Sequence, residues 1–372
     1  MDIIHLGDLH LGIKFHKRSI IEEQRHALKQ VIKHLQDNKA HLVIAGDVFD
    51  TVNPPIEAQE LWYEFLESVA TLQKTNGKHT FIIPGNHDSA ARLGLGLSFL
   101  KDSNIHIVPK NMLYDYYLVG EFNFVLVPFT KPETINQHLE KKYEDYDSAY
   151  RFLIDNIRAE VNINENTIVI AHQSFEGANV GESEFKPFMS DAISLESVKA
   201  LPLVLAGHLH EHQHLGNVHY SGSLLPYAFG DNYQPSISHW TFDSTGYVFP
   251  EGEWKHRRLP LNILHPLKTI QGDLEHCLTI DADDCYVKVK LQQCVDFDTA
   301  LAKLQEKFPL LCSVVRDDGE KWVIDLDKPL GTFSNVEEAI DSFTDYLEIP
   351  RFDNRRKEII QEAIHAFKNI ED

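Results

Sequence analysis

The stretch Ile3-Ile-His-Leu-Gly7 runs directly into Asp8-Leu-His10, and it is the first of five segments that share one pattern. A short aliphatic run ends in a small residue, and a side chain able to bind metal follows at once. Leu42–Gly46 leads to Asp47, and Phe81–Gly85 leads to Asn86, His87 and Asp88. Ile168–Ala171 leads to His172, and Leu203–Gly207 leads to His208 and His210. Continuous apolar runs this short read as strands buried on both faces. Helical stretches separate them. Ser19-Ile-Ile-Glu22 has the form of a capping box that opens an amphipathic run to about Asn38. Pro54-Pro55 precede a second run, in which Leu61, Phe65, Leu66, Val69 and Leu72 recur at helical spacing. Such alternation predicts a layered α/β domain. In open α/β sheets ligands gather beyond the carboxyl ends of the strands, where small residues let the chain turn sharply.

The candidate ligands carry oxygen and nitrogen donors and no sulfur, a set that suits Mn²⁺, Fe²⁺ or Zn²⁺. Asp8, His10, Asp47, Asn86, His172, His208 and His210 are too many for one ion that keeps an open position, and suit two ions sharing a carboxylate. Asp8 and His10, at i and i+2 on extended chain, point the same way and can grip one ion. One Asp-x-His or Gly-His-x-His is more often a turn with a hydrogen-bonded imidazole, and the chain has 21 histidines. Five such motifs in order, each after a buried strand, argue for a metal site.

A chain of 372 residues predicts two domains and room for a small third element. With 43% hydrophobic residues it can bury a core, which excludes a disordered chain. No apolar stretch reaches the ~18–20 residues that span a bilayer, and the start has no basic region or cleavage site, so a cytoplasmic protein is expected. The net charge of −21 should repel nucleic acid. That excess is uneven, since residues 271–372 hold 23 Asp/Glu against 12 Lys/Arg. Cys277, Cys285, Cys294 and Cys312 all lie in that acidic part, with no CxxC pair, and read as reduced thiols. There Cys285–Leu291 predicts a strand, Asp298–Phe308 a helix, and Val314–Arg316 and Trp322–Leu326 strands around a turn at 317–319.

Taken together, Asp8-x-His10, Gly46-Asp47-x-x-Asp50, Gly85-Asn86-His87-Asp88, Ala171-His172 and Gly207-His208-x-His210 resemble the signature of calcineurin-like metallophosphoesterases. The segments His5–Gly12, Gly46–Thr51, Gly85–Ser89 and Tyr220–Phe229 narrow the resemblance to the SbcD family of DNA break-repair nucleases. The resemblance implies a four-layer α/β/β/α sandwich over residues 1–265, a small α/β capping domain over 266–334 and C-terminal helices over 335–372. It implies two divalent ions, Mn²⁺ first, one held by Asp8, His10, Asp47 and His210 and the other by Asp47, Asn86, His172 and His208. Water activated between them would attack phosphorus in line. His87 would be a non-ligand catalytic histidine that stabilises the phosphoryl group or protonates the leaving 3′ oxygen, with Asp88 orienting it. Archaeal and eukaryotic relatives have a second histidine where Asp50 stands, and a carboxylate does not inherit its proton-donating role.

The resemblance also implies 3′→5′ exonuclease action on duplex ends and single-strand or hairpin endonuclease action, in DNA repair, recombination and replication. A homodimer through helices at 55–72 and 89–100, with Leu95, Leu97, Phe99 and Leu100 as contacts, would join an SbcC-type coiled-coil ATPase in a heterotetramer. The stripe Ile359, Ile360, Ala363, Ile364 and Phe367 would dock that partner. Candidates for DNA phosphates are Lys14, Lys17 and Arg18, then Arg92 and the Lys255–Arg258 cluster. The alternative is a stand-alone phosphoesterase for nucleotides or phosphoproteins, disfavoured by the segment beyond 270. A catalytically dead scaffold is disfavoured because all seven ligands are present. Metal charge in the cleft would offset the acidic surface locally, so weak and salt-sensitive DNA binding by this chain alone is expected.

Overall fold

Uncharged aliphatic runs cannot be left facing water, and the structure buries each of them between layers. It is a computed structural model that describes residues 1–316 and 323–324, apart from 17, 97–101, 141, 144, 182, 185–191, 232, 243–254 and 293–295. The chain opens with β1 (Asp2–Leu6), a small hairpin of β2 (Lys14–Phe15) and β3 (Arg18–Ser19), then α1 (Ile21–Asn38) and β4 (His41–Ala45). After α2 (Ile56–Asn76), β5 (Thr80–Ile83), α3 (Ala90–Leu93) and β6 (Ile105–Ile107), a second sheet begins. It comprises β7 (Asp115–Val119), β8 (Phe122–Val127), β9 (Thr167–His172), β10 (Leu203–Gly207), β11 (Gln213–Leu215) and β12 (Val218–Tyr220). Two helices, α4 (Pro132–Leu139) and α5 (Tyr146–Glu160), join β8 to β9. The chain then returns to the first sheet as β13 (Ser236–Thr241) and β14 (Lys255–Pro260).

The first sheet has the order β14-β13-β1-β4-β5-β6 and the second β11-β12-β10-β9-β8-β7. Side-chain alternation sorts each strand between two layers. Ile4, Leu6, Leu42 and Ile44 pack under α1 and α2, while Ile3, Val43 and Ala45 face the other sheet. Ile168 and Ile170 meet them from the second sheet, and Val169 and Ala171 turn outward to Tyr150, Leu153 and Ile157. The result is the four-layer α/β/β/α sandwich. At its centre the rings of Phe81 and Phe124 stack across the two sheets, 4.2 Å apart at 16°.

Two local expectations differ from the structure. Ser19 does not cap α1: it belongs to the β2–β3 hairpin, its hydroxyl donates to Glu57 at 2.9 Å, and Ile20 occupies the cap position with no side-chain bond. The expected helix over 89–100 is described only at Ala90–Leu93, where the Gly94 N–H closes it on the Ala90 carbonyl. Leu97, Phe99, Leu100, Lys17 and the turn at 317–319 lie outside the described residues, as does everything from 325 on, including the predicted C-terminal helices.

Beyond the sandwich, β15 (Leu267–Gly272), α6 (Leu274–Thr279), β16 (Tyr286–Leu291), α7 (Phe297–Lys307), β17 (Leu311–Arg316) and β18 (Val323–Ile324) form a four-stranded sheet with its own core. Tyr286 and Cys312 join the core beneath α1 instead. The buried Glu23 carboxylate receives the Leu264 N–H at 3.2 Å and the Tyr286 hydroxyl at 3.4 Å, and pairs closely with His265.

One end of the inter-sheet layer is rich in imidazoles. His5, His219 and His256 gather beside Trp240, with His219 and Trp240 edge to face at 4.8 Å. Burial, reinforced by the neighbouring histidines, pulls His219 down to about 3 and His256 to about 4. The unfolded chain, titrating near ~6.5, therefore binds more protons between about 4 and 6.5, and these groups cost stability as pH falls through that window. His219→Leu should accordingly reduce the acid-induced drop in Tm between pH 7 and pH 4.5 by roughly 3–5 °C. An undiminished drop in calorimetry would mean that His219 titrates normally in the fold.

Candidate metal centre

The five strand ends meet along the seam between the two sheets. From the first sheet come Asp8 and His10 after β1, Asp47 after β4, and Asn86, His87 and Asp88 after β5. From the second come His172 at the end of β9 and His208 and His210 after β10. The backbone there is forced: Asp8, His10, Asp47 and His208 all have left-handed φ, at 53°, 43°, 49° and 98°. Non-glycine residues rarely adopt it, and it persists only where surroundings over-determine it. Those surroundings are visible as main-chain bonds from Asp8 N–H to the Gly46 carbonyl and from His10 N–H to the Asp47 carbonyl, each at 3.0 Å. The Asp8 carboxylate accepts the His208 N–H at 2.9 Å and so ties the sheets together. Gly85 is needed for close approach, because a Cβ there would collide with Asp47 Oδ1.

Donor atoms converge in sets that share residues. Asp8, His10 and His210 form one group, Asp47, His172 and His208 another, and His10, Asp47 and His87 a third. His10 Nε2 faces His210 Nε2 at 3.1 Å, so at least one lone pair or one unmet proton points into the gap. His172 Nε2 and His208 Nδ1 both reach Asn86 Oδ1 at 2.9 Å, and His172 Nε2 lies 3.3 Å from Asp47 Oδ2. His172 is held from behind, its Nδ1–H donating to the Ala45 carbonyl at 2.7 Å.

The electrostatics suit cations. Burial alone would raise Asp47, but the charges of His172 and His10 hold its carboxyl well below the usual range. For His172 burial is likewise outweighed, and Asp47 lifts it to about 9. Burial, then the Asp47 charge, raises Asp8 to about 7 against the pull of His172. Burial and then the charge on His172 push His208 down to about 3, and burial and then His10 take His210 well below its ordinary value. Anionic carboxylate, amide oxygen and imidazoles, of which His208 and His210 are held neutral, crowd one buried point without sulfur. That donor set fits divalent metal ions.

His87 is exposed, and its Nδ1–H donates to the Asp50 carbonyl at 2.7 Å. The expectation that Asp88 orients His87 is not what the structure contains. Both Asp88 oxygens are taken by backbone N–H groups of Val48, Phe49 and Gly85, so Asp88 braces the Asp47 and Asn86 loops against each other. Asp50 places Oδ1 3.4 Å from His10 Nδ1.

The supporting roles of four residues escaped the sequence reading. Gln24 gives its amide to the Leu9 and His10 carbonyls at 3.1 and 2.8 Å and accepts the Gly12 N–H at 3.1 Å. Its signal was a polar residue on the same face of α1 as buried Ala27, Leu28, Val31 and Leu35. The Tyr227 hydroxyl donates to the Leu9 carbonyl at 2.7 Å. Ser183 Oγ meets His210 Nδ1 at 2.8 Å, and Glu184 accepts the His210 N–H. With Nδ1–H donating to Ser183, His210 keeps the Nε2 lone pair for a ligand. Ser183→Ala should therefore weaken metal affinity by ~10–100-fold, with Ser183→Thr retaining it. Calorimetric titration with Mn²⁺ reads this directly, and equal affinities would leave the hydroxyl without a part in the centre.

Of the predicted phosphate contacts that the structure describes, none lines the cavity over the donors. A cavity of about 310 Å³ opens over the donors, and no lysine or arginine among the described residues lines it. Lys14 and Arg18 are exposed on the β2–β3 hairpin. Arg92 donates to Asn53 at 2.7 Å. On the edge strand β14, Arg257 is spent on His239 and Asn38 and Arg258 on Ser236 and Gln234.

A seam of carboxylate and imidazole donors between two sheets, fed by five strand ends, is a candidate centre for divalent metal ions, and the sequence model of the calcineurin-like phosphoesterases matches residues 1–212. The chain belongs to that family, whose members are hydrolases of phosphate esters. Among its relatives is the SbcD component of the nuclease SbcCD of Staphylococcus epidermidis, 28% identical over 87% of this chain and 88% of the relative. The SbcD proteins of Staphylococcus saprophyticus and Bacillus subtilis are 26% and 27% identical, over 83% and 64% of this chain and 83% and 65% of theirs. No helix among the described residues is long and apolar enough to cross a membrane.

Proposed function

We propose that this chain is the DNA-cleaving component of a cytoplasmic complex with an SbcC-type ATPase. The observation that carries the reading is the Asp47 carboxylate, which belongs to both the His10 and the His172–His208 donor groups and can bridge two cations. In this reading Asp8, His10, Asp47 and His210 hold one ion, and Asp47, Asn86, His172 and His208 the other. Two divalent ions, Mn²⁺ ahead of Fe²⁺ or Zn²⁺, would supply positive charge at the phosphoryl oxygens and an activated water. The chain's own residues do the rest. Gln24 and Tyr227 hold the first loop in its strained conformation, and Asp88 holds the Asp47 and Asn86 loops in register. His87, its Nδ1 fixed by the Asp50 carbonyl, offers Nε2 to a phosphoryl oxygen or to the leaving 3′ oxygen, the latter as the imidazolium.

The relatives' names and the long coverage support nuclease action, which in this reading is exonucleolytic on duplex ends and endonucleolytic on hairpins or single strands. The sheet from Leu267 onward would present DNA as the cap, residues 266–334, and residues 335–372 would dock the ATPase. Exposed Val52, Ile56, Tyr63 and Leu95 supply apolar surface for a homodimer, and the Arg92–Asn53 bond holds their two segments together. The test is purified protein with Mn²⁺ on end-labelled linear DNA, with bis-p-nitrophenyl phosphate and nucleotides in parallel. Cleavage of DNA is expected. Hydrolysis of nucleotides with DNA left intact, with and without the ATPase, would replace this reading with a stand-alone phosphoesterase.

A further inference from the structure

A nucleic-acid strand carries one charge per phosphate, and the cavity over the metal donors offers no lysine or arginine, among the described residues, to the phosphates on either side of the one being cut. The cations lie next door. A second cavity, about 240 Å³, shares Asn86 with the first and is lined by Lys110, Lys131, Phe129 and Met112 among others. It is built from the carboxyl ends of β5, β6 and β8, on the same rim as the metal loops. Backbone bonds hold those ends together: the Phe129 N–H donates to the Pro84 carbonyl at 3.1 Å, joining the β8 loop to the β5 loop across the two sheets. His138 on α4 meets the Asn111 carbonyl at 3.2 Å and fixes the turn that carries Lys110.

The chemistry of the lining is selective. Among the described residues its one acid is Asp88, and both Asp88 oxygens are occupied by backbone N–H groups. Neither lysine is ion-paired among the described residues, although the chain has a net charge of −21. Phe129 is half-buried and lies nearly parallel to the His208 ring, 6.4 Å away at 17°, so an aromatic surface adjoins a metal ligand. Paired cations beside an aromatic ring are what a nucleotide needs, the phosphate taking the charge and the base the ring.

We propose that this cavity is the subsite for the nucleotide flanking the scissile phosphodiester on the Asn86–His208 side. Lys110 and Lys131 hold its phosphate, and Phe129 stacks its base. The proposal rests on the nuclease reading above. Stacking on one ring tolerates any base, so the subsite grips a strand without reading its sequence.

The test uses the full chain with Mn²⁺ and end-labelled linear oligonucleotides. The Lys110→Gln/Lys131→Gln double variant should raise KM about tenfold, with kcat changed less than about threefold. The slope of log KM against log salt should flatten by about 0.7–0.9 per lysine, which a merely structural change would not do. Phe129→Leu should raise KM about tenfold on an intact strand and leave it unchanged on a strand abasic at the flanking position. Lys29→Gln, on the exposed face of α1, is the charge control and should match the unchanged chain. Double-lysine kinetics and salt slope equal to those of the unchanged chain would overturn the subsite. So would an equal effect of Phe129→Leu on intact and abasic strands. If the unchanged chain hydrolyses bis-p-nitrophenyl phosphate but neither binds nor cuts DNA, the nuclease reading falls and the subsite with it.

Discussion

Asp47→Asn should yield a folded protein that no longer retains two divalent ions. The substitution keeps a side-chain oxygen for the His87 N–H, which Asp47 Oδ1 accepts at 2.9 Å, so the Asn86 loop keeps its anchor. What it removes is the negative charge that both donor groups share. It also removes the reason His172 is protonated, since Asp47 lifts that imidazole to about 9 against its burial. A neutral His172 is still a donor, but the site then keeps Asp8 as its one ligand carboxylate, and burial works against the ionised form of that group. Two-metal charge stabilisation is worth several kcal/mol, so turnover should fall by roughly 10³-fold or more. Metal analysis after equilibrium dialysis should find fewer than one ion per chain, with the circular dichroism spectrum intact. Two ions retained would remove Asp47 from the bridge.

His87→Asn should give the opposite pattern, with full metal content and a kcat lower by ~10²–10⁴-fold. His87 falls within ligand distance of His10 and Asp47, yet it is exposed while they are buried, and its Nδ1 is committed to the Asp50 carbonyl. Those facts make it a proton donor or charge stabiliser in the proposed chemistry, and not a ligand. Loss of an ion in this variant would reassign it as a ligand. Unimpaired turnover would take it out of the reaction.

The sandwich and the convergence of the seven candidate donors were legible because each signal is local. A strand buried on both faces shows as an unbroken aliphatic run, and a small residue followed by Asp, Asn or His marks its end. Roles that depend on distant backbone were not legible. Asp88 follows His87 in the chain but serves Val48, Phe49 and Gly85, a choice made by the packing of two loops. Ser19 has the right spacing for a cap, yet pairing with Lys14 takes it into a hairpin. The Arg257–Arg258 pair reads as a basic patch, and only the edge position of β14 shows that its guanidiniums are already bonded. Lys110 and Lys131 attract no attention in the sequence, being isolated charges 21 positions apart. They matter because loops from opposite sheets bring them to one cavity.

The donors are divided between two sheets that touch through hydrocarbon, and this ties the residence time of a bound ion to the breathing of the sandwich. An ion leaving through the cavity over the donors must first give up ligands from both sheets, which a parting of the sheets at that seam, or a loop letting go, makes easier. The loops are over-bonded, as their left-handed ligands require. The slow step should then be a small opening between layers, resisted by the Phe81–Phe124 stack and its aliphatic neighbours. Metal exchange would be paced by greasy side chains that never touch the metal, and loosening that layer would make the centre leak before it made the fold fail.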